Sequence, residues 1–138
     1  MAYAERTSVP IDRSKAEIEK ILCRYGADKF FYGTSAQGSG IGFEYKQRVI
    51  RMSVPNPNPK LFDTTKKYEA EKRRMWRVLA LALKAKLELI DAGLTRFEDE
   101  FLAQTSLPDG STVSQWLQPQ ILHAIEQNQM PKLLLTGE

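Results

Sequence analysis

The sequence predicts a single α+β domain: an N-terminal helix, a three-stranded antiparallel meander, a long central helix, then two or three short C-terminal helices. Three observations carry that prediction. Apolar residues recur at helical spacing over residues 14–26 and again over 64–92. Between those stretches lie three short runs rich in aromatic and β-branched residues, joined by connectors short enough for hairpins. A chain of 138 residues, 42% hydrophobic and 27% charged, also matches one domain with a buried core rather than a disordered segment.

Residues 1–11 read as an extended arm, because Pro10 biases Val9 away from helical backbone. An α-β-β-β-α core is expected over 14–92. Ser14 with Glu17 makes a capping-box pattern, and Ala16, Ile18, Ile21, Leu22 and Tyr25 repeat at helical spacing until Gly26 supplies a stop. Lys29–Thr34 carries Phe30, Phe31 and Tyr32. Gly40–Tyr45 alternates Ile41, Phe43 and Tyr45 with two glycines and Glu44. Arg48–Val54 alternates Arg48, Ile50, Met52 and Val54 with Val49, Arg51 and Ser53. Prolines within residues 55–60 cannot donate to a ladder, so PNPNPK reads as a stiff connector. Asp63 or Thr64 caps the central helix, which runs to Ala92 and stops at Gly93.

One stripe of the central helix is polar and includes Lys66, Arg73, Arg77, Lys84 and Glu88. Tyr68, Met75, Val78, Leu79, Leu83, Leu87 and Leu89 spread over the other side. An apolar arc that wide predicts cover from more than one neighbour, with the sheet on one face and the C-terminal helices on another. Ile18, Ile21, Leu22, Phe43, Ile50, Leu79 and Leu83 are the expected core. Residues 93–138 read as a helical subregion. It starts with a short helix over Thr95–Gln104 and a turn at Pro108-Asp109-Gly110. A further helix opens at Thr112 and Gln115, and Pro119 is expected to kink or restart it. Leu133–Leu135 are expected to dock the tail.

Composition narrows the function. No apolar run approaches the ~18 residues that span a bilayer, and the first residues lack the hydrophobic stretch of a signal peptide. With Cys23 as the lone cysteine, the cytoplasm is the expected compartment and no membrane partner is expected. The net charge of +3 is unevenly distributed. Residues 1–90 hold 18 Lys and Arg against 10 Asp and Glu, whereas residues 91–138 hold 2 against 7. A polyanion is drawn to the first segment and repelled by the second.

Catalytic patterns are sparse, and no cofactor is expected. His123 and Cys23 lie on different helices, without the spacing of a zinc site. Gly38-Ser39-Gly40-Ile41-Gly42 precedes a strand rather than opening a helix, so these are hairpin glycines and not a phosphate cradle. Glu44-Tyr45-Lys46 has the Glu-x-Lys form of Mg²⁺-dependent nucleases, with Asp28 as the nearest upstream acid, and leaves such a nuclease as one alternative. Glu98-Asp99-Glu100 falls in the first turn of a predicted helix, where carboxylates complement the helix dipole.

The basic start of the central helix is the stronger feature. Lys66, Lys67, Lys72, Arg73, Arg74 and Arg77 crowd into its first turns, and Lys66, Arg73, Arg77 and Lys84 share a stripe suited to tracking phosphates. Arg48 and Arg51, with Lys46, could extend that surface, and Trp76 or Tyr68 could stack on bases if exposed. Against this stands an ordinary solvated helix held by local pairs such as Glu69–Arg73.

Two resemblances bear on this. The order of helix, three-stranded meander and helix opening with Lys66-Lys67 resembles double-stranded-RNA-binding domains over residues 14–91, in topology alone. Three further segments resemble a family of small uncharacterised proteins encoded by bacteriophages and prophages. They are Ser8-Val9-Pro10 with Arg13–Glu19 and Arg24–Ala27, then Trp76-Arg77 with Lys84–Glu88 and Gly93, then Phe97–Ala103 with Leu107–Gly110 and Met130-Pro131. That resemblance implies an accessory role and assigns no residue a function. The expectation is a non-enzymatic, phage-type accessory protein that binds DNA or RNA through its basic central helix. The alternative is an adaptor or inhibitor that binds a host or phage protein.

Overall fold

Pro10 opens the first helix, four residues ahead of the capping box expected at Ser14. The structure, a computed structural model, describes residues 9–131. Helix α1 spans Ile11–Tyr25, and the Pro10 carbonyl accepts the Arg13 and Ser14 amides at 3.1 and 3.2 Å. Ser14 is therefore an interior helical residue, fully buried, and its hydroxyl has no hydrogen-bond partner among the described residues. Gly26 ends α1 with φ of 110°, a left-handed conformation that glycine adopts without a Cβ penalty. Most of the arm expected over residues 1–11 falls outside the described residues.

Strands β1 (Lys29–Ser35), β2 (Gly38–Tyr45) and β3 (Arg48–Pro55) form the antiparallel meander in the order β1-β2-β3. Phe30 pairs with Phe43, and Phe43 with Ile50. Side chains alternate across the sheet, so Phe30, Tyr32, Ile41, Phe43, Tyr45, Ile50, Met52 and Val54 face the helices. The other face carries Phe31, Gly42, Val49 and Arg51. Gly42 leaves room for Phe31, because a Cβ at that position would lie 1.9 Å from the Phe31 ring and force the ring to move. The connector forms one 3₁₀ turn, Pro59–Leu61, with the Asn58 side chain accepting the Lys60 amide at 3.0 Å.

Helix α2 spans Thr65–Asp91, and the Thr64 hydroxyl caps it by accepting the Lys67 amide at 3.1 Å. Trp76, Leu79, Ala80, Leu83 and Leu87 bury its inner face. α1 and α2 lie side by side on one sheet face and run in the same direction. Glu17 meets Arg77, and further along both helices Arg24 and Tyr25 line a groove with Lys84, Leu87 and Asp91.

The Thr95–Gln104 helix expected from sequence shortens to a single turn, α3 (Phe97–Glu100). The backbone leaves the helix because β3 recruits it. The Arg51 amide donates to the Gln104 carbonyl at 2.9 Å, and the Ser106 amide donates to Val49 at 2.8 Å. Phe97 and Phe101 complete an aromatic cluster with Tyr25, Phe43 and Tyr45. Helix α4 (Val113–Gln127) opens on the full Thr112/Gln115 capping box and continues through Pro119 without a break. None of its residues is buried. The second cover of α2 is thus α1 with α3, not α4, and Val78 and Leu89 remain 40% and 37% exposed. Leu133–Leu135 lie outside the described residues. Among the described residues, no helix is long and apolar enough to cross a membrane.

Candidate nucleic-acid interface

The helical layer divides the predicted basic set into three groups. Lys66, Arg73, Arg77 and Lys84 lie on the flank of α2 that meets α1. Arg77 is spent inside that contact: its guanidinium donates to both carboxylate oxygens of Glu17, and its side chain is only 15% exposed. Lys66 and Lys84 are exposed and Arg73 is half-buried. Lys67 and Arg74 sit on the outer side of α2. Lys67 pairs with Asp63 at 3.1 Å, and Arg74 grips Glu71 through two bonds of 2.8 and 2.9 Å. That grip holds the Glu71 carboxyl below its ordinary range.

Arg48 and Arg51 do not extend the stripe. Arg48 is exposed at the start of β3, beside the β2–β3 turn. Arg51 points from the sheet face away from the helices, and its guanidinium donates to the Gly110 carbonyl. Trp76 is 3% exposed, with the Lys15 ammonium 5.0 Å from its ring centre, so it offers no face to a base. Tyr68 is half-buried and packs edge-on against Phe62.

Helix α1 supplies cations that the reading of α2 alone misses. Arg13, Lys20 and Arg24 recur with Glu17 at i, i+4, i+7 and i+11, which places them on the face of α1 that Glu17 turns toward α2. All three are exposed. Arg24 and Lys84, from the two helices, line the same groove. The seam between α1 and α2 therefore carries Arg13, Lys20, Arg24, Lys66, Arg73 and Lys84, and among the described residues none of these has a carboxylate within 4 Å. Lys66 and Lys84 lie about 27 Å apart along α2, the rise of roughly eight base pairs of duplex. Glu88 and Asp91 close the far end of the groove. The i, i+7, i+11 spacing on α1 was the available signal; what joins it to α2 is the fold.

The nuclease pattern is spread apart. Glu44 is tied to Lys29 at 3.2 Å, while Lys46 sits in the β2–β3 turn with its ammonium 5.3 Å from the centre of the Tyr45 ring. Among the described residues, no three His, Cys, Asp or Glu side chains gather as a metal site. The acidic run has structural work: Asp99 pairs with Arg96 at 3.2 Å and Glu100 with Lys86 at 2.9 Å. Compared with family models, with curated proteins and with solved structures, the chain finds no match.

Proposed function

We propose that this protein is a non-catalytic, phage-type accessory factor that binds double-stranded nucleic acid through the α1/α2 seam. The observation that carries this reading is a row of cations, contributed by two parallel helices, that have no carboxylate partner among the described residues. Among the described residues the seam offers phosphate contacts and little aromatic surface, since Trp76 is buried and Tyr25 and Tyr68 are half-buried. Backbone contacts without stacking suit a duplex and give little sequence preference. The salt dependence should be steep, with a log–log slope near −0.9 for each phosphate neutralised.

Two paired charge reversals test the seam one helix at a time: Lys66→Glu with Lys84→Glu, and Lys20→Glu with Arg24→Glu. All four positions are exposed, so each variant should stay folded, within about 0.5 kcal/mol of the parent. Each pair should weaken duplex binding and flatten the salt slope by about 1.8. Unchanged binding in both folded variants would remove the seam. If wild type binds neither duplex DNA nor duplex RNA at low salt, a protein partner becomes the leading reading. Mg²⁺-dependent cleavage of the bound duplex, lost in Glu44→Ala, would overturn the non-catalytic part.

A further inference from the structure

The groove at the end of the α1/α2 seam changes sign along its length. It is lined by the cations Arg24 and Lys84 and by the carboxylates Glu88 and Asp91, and it encloses about 300 Å³, room for one base and not for a duplex. All four charged residues are exposed, and among the described residues none of them is held in an ion pair. Leu87, buried, with Ile21 and Tyr25, half-buried, supplies the apolar wall. The Tyr25 phenol is pushed up to about 12, first by burial and then by Tyr45, Glu98 and Asp91, so it stays a neutral O–H under the influence of the Asp91 charge.

We infer that this groove is a guanine-binding site, filled by one unpaired base at the end of a nucleic acid held along the seam; this rests on the duplex-binding reading of that seam. A backbone that follows the cations of α2 passes Lys84 and then meets Glu88 and Asp91, which repel a further phosphate. A base carries no such charge and enters where phosphates do not. Guanine matches both signs of the groove. Its O6 and N7 accept from arginine or lysine, and its N1–H and N2–H groups donate side by side to a carboxylate. Adenine and cytosine offer one amino donor flanked by ring nitrogens, and thymine and uracil one N–H between two carbonyls, so a carboxylate repels part of each edge. Lys84 and Glu88, four residues apart, stand about 6 Å apart along α2, comparable with the breadth of a purine. Ile21, Leu87 and the Tyr25 ring give the base an apolar surface to pack on.

Fluorescence anisotropy with short labelled duplexes reads the preference: one blunt, the others ending in a single unpaired guanine, adenine, cytosine or thymine at the 5′ or 3′ end. Unpaired guanine should bind about tenfold tighter than unpaired adenine. Glu88→Ala with Asp91→Ala, both exposed, should fold as wild type and bind the blunt duplex at least as tightly, because two repulsive charges are gone. The same variant should bring the guanine-to-adenine ratio close to one, which a general weakening of the seam would not do. Calorimetric titration with free guanosine and adenosine 5′-monophosphates separates a strand end from a free nucleotide as the source of the base. A guanine preference there, lost in the variant and with no duplex bound, keeps the groove and removes the seam. Blunt-duplex binding with guanine and adenine equal in both titrations overturns the groove and leaves the seam standing. No binding in either titration, or a guanine preference that survives the double substitution, overturns the groove as well.

Discussion

Ser14 shows how a single residue can read one way in sequence and serve another in the fold. Its place three residues before Glu17 fits a cap, yet Pro10 starts the helix earlier and rotates Ser14 into the core. A buried hydroxyl without a partner costs about 1–3 kcal/mol, so Ser14→Ala should raise stability, by about 1 kcal/mol after the loss of one packed oxygen. A melt that moves downward would show that the hydroxyl is satisfied after all. Lys46 and Gln47 form the β2–β3 turn with φ of 49° and 68°, where side chains other than glycine and asparagine are strained. Gln47→Gly should relieve part of that and add about 0.5–1 kcal/mol, read from chemical denaturation. At this scale half of the proposed seam was legible. Lys66 and Lys84 are exposed and Arg73 half-buried on the one flank that their stripe implied. The fate of Arg77 was not, because Glu17 stands 60 positions earlier and only the fold brings it near.

The elements themselves were largely written in the local pattern. α1, the three strands and α2 all stand within a few residues of their expected bounds, because periodicity, glycine stops and threonine caps act over short distances. The misses involve partners remote in sequence. The helix expected over Thr95–Gln104 gives way to pairing with β3, and Pro119, set in the first half of α4, is absorbed rather than breaking the helix. The join between α2 and α3 rests on Lys86, whose ammonium bonds the Glu100 carboxylate at 2.9 Å and carbonyl at 3.0 Å. That bond lowers the Glu100 carboxyl below its ordinary range against an opposing effect of burial. A lowered carboxyl stabilises the fold fully above its unfolded value, near 4.3, and loses that contribution as pH falls through the folded one. Glu100→Gln should therefore melt lower than wild type near pH 7, and the gap should close as pH drops toward 3. A gap independent of pH would mean that packing, not charge, sets the contact.

Across the whole molecule, stability is concentrated in the layer between the sheet and the helices. Phe43, Phe101, Ile18, Leu22, Ile50 and Leu83 are all but inaccessible there, whereas no residue of α4 is buried. A chain ending after Ser111 should melt within a few degrees of the full chain when both are dilute. One ending after Thr95 loses Phe97 and Phe101. Each deletion of a buried phenylalanine costs about 3–5 kcal/mol, so together they approach the entire margin of a small domain and should leave the chain unfolded. Circular dichroism of the two truncations separates these outcomes. The Glu17–Arg77 contact carries one more consequence, for the time course of folding. Its partners are 60 positions apart, while both hairpins of the meander close through two-residue turns. Loop-closure entropy thus favours early hairpins and late docking of α1 on α2. A contact made after the barrier leaves the folding rate alone and slows unfolding. Glu17→Gln should steepen the loss of native protein in stopped-flow unfolding while its refolding limb overlays that of wild type, making this ion pair the latch that sets how long a folded molecule lasts.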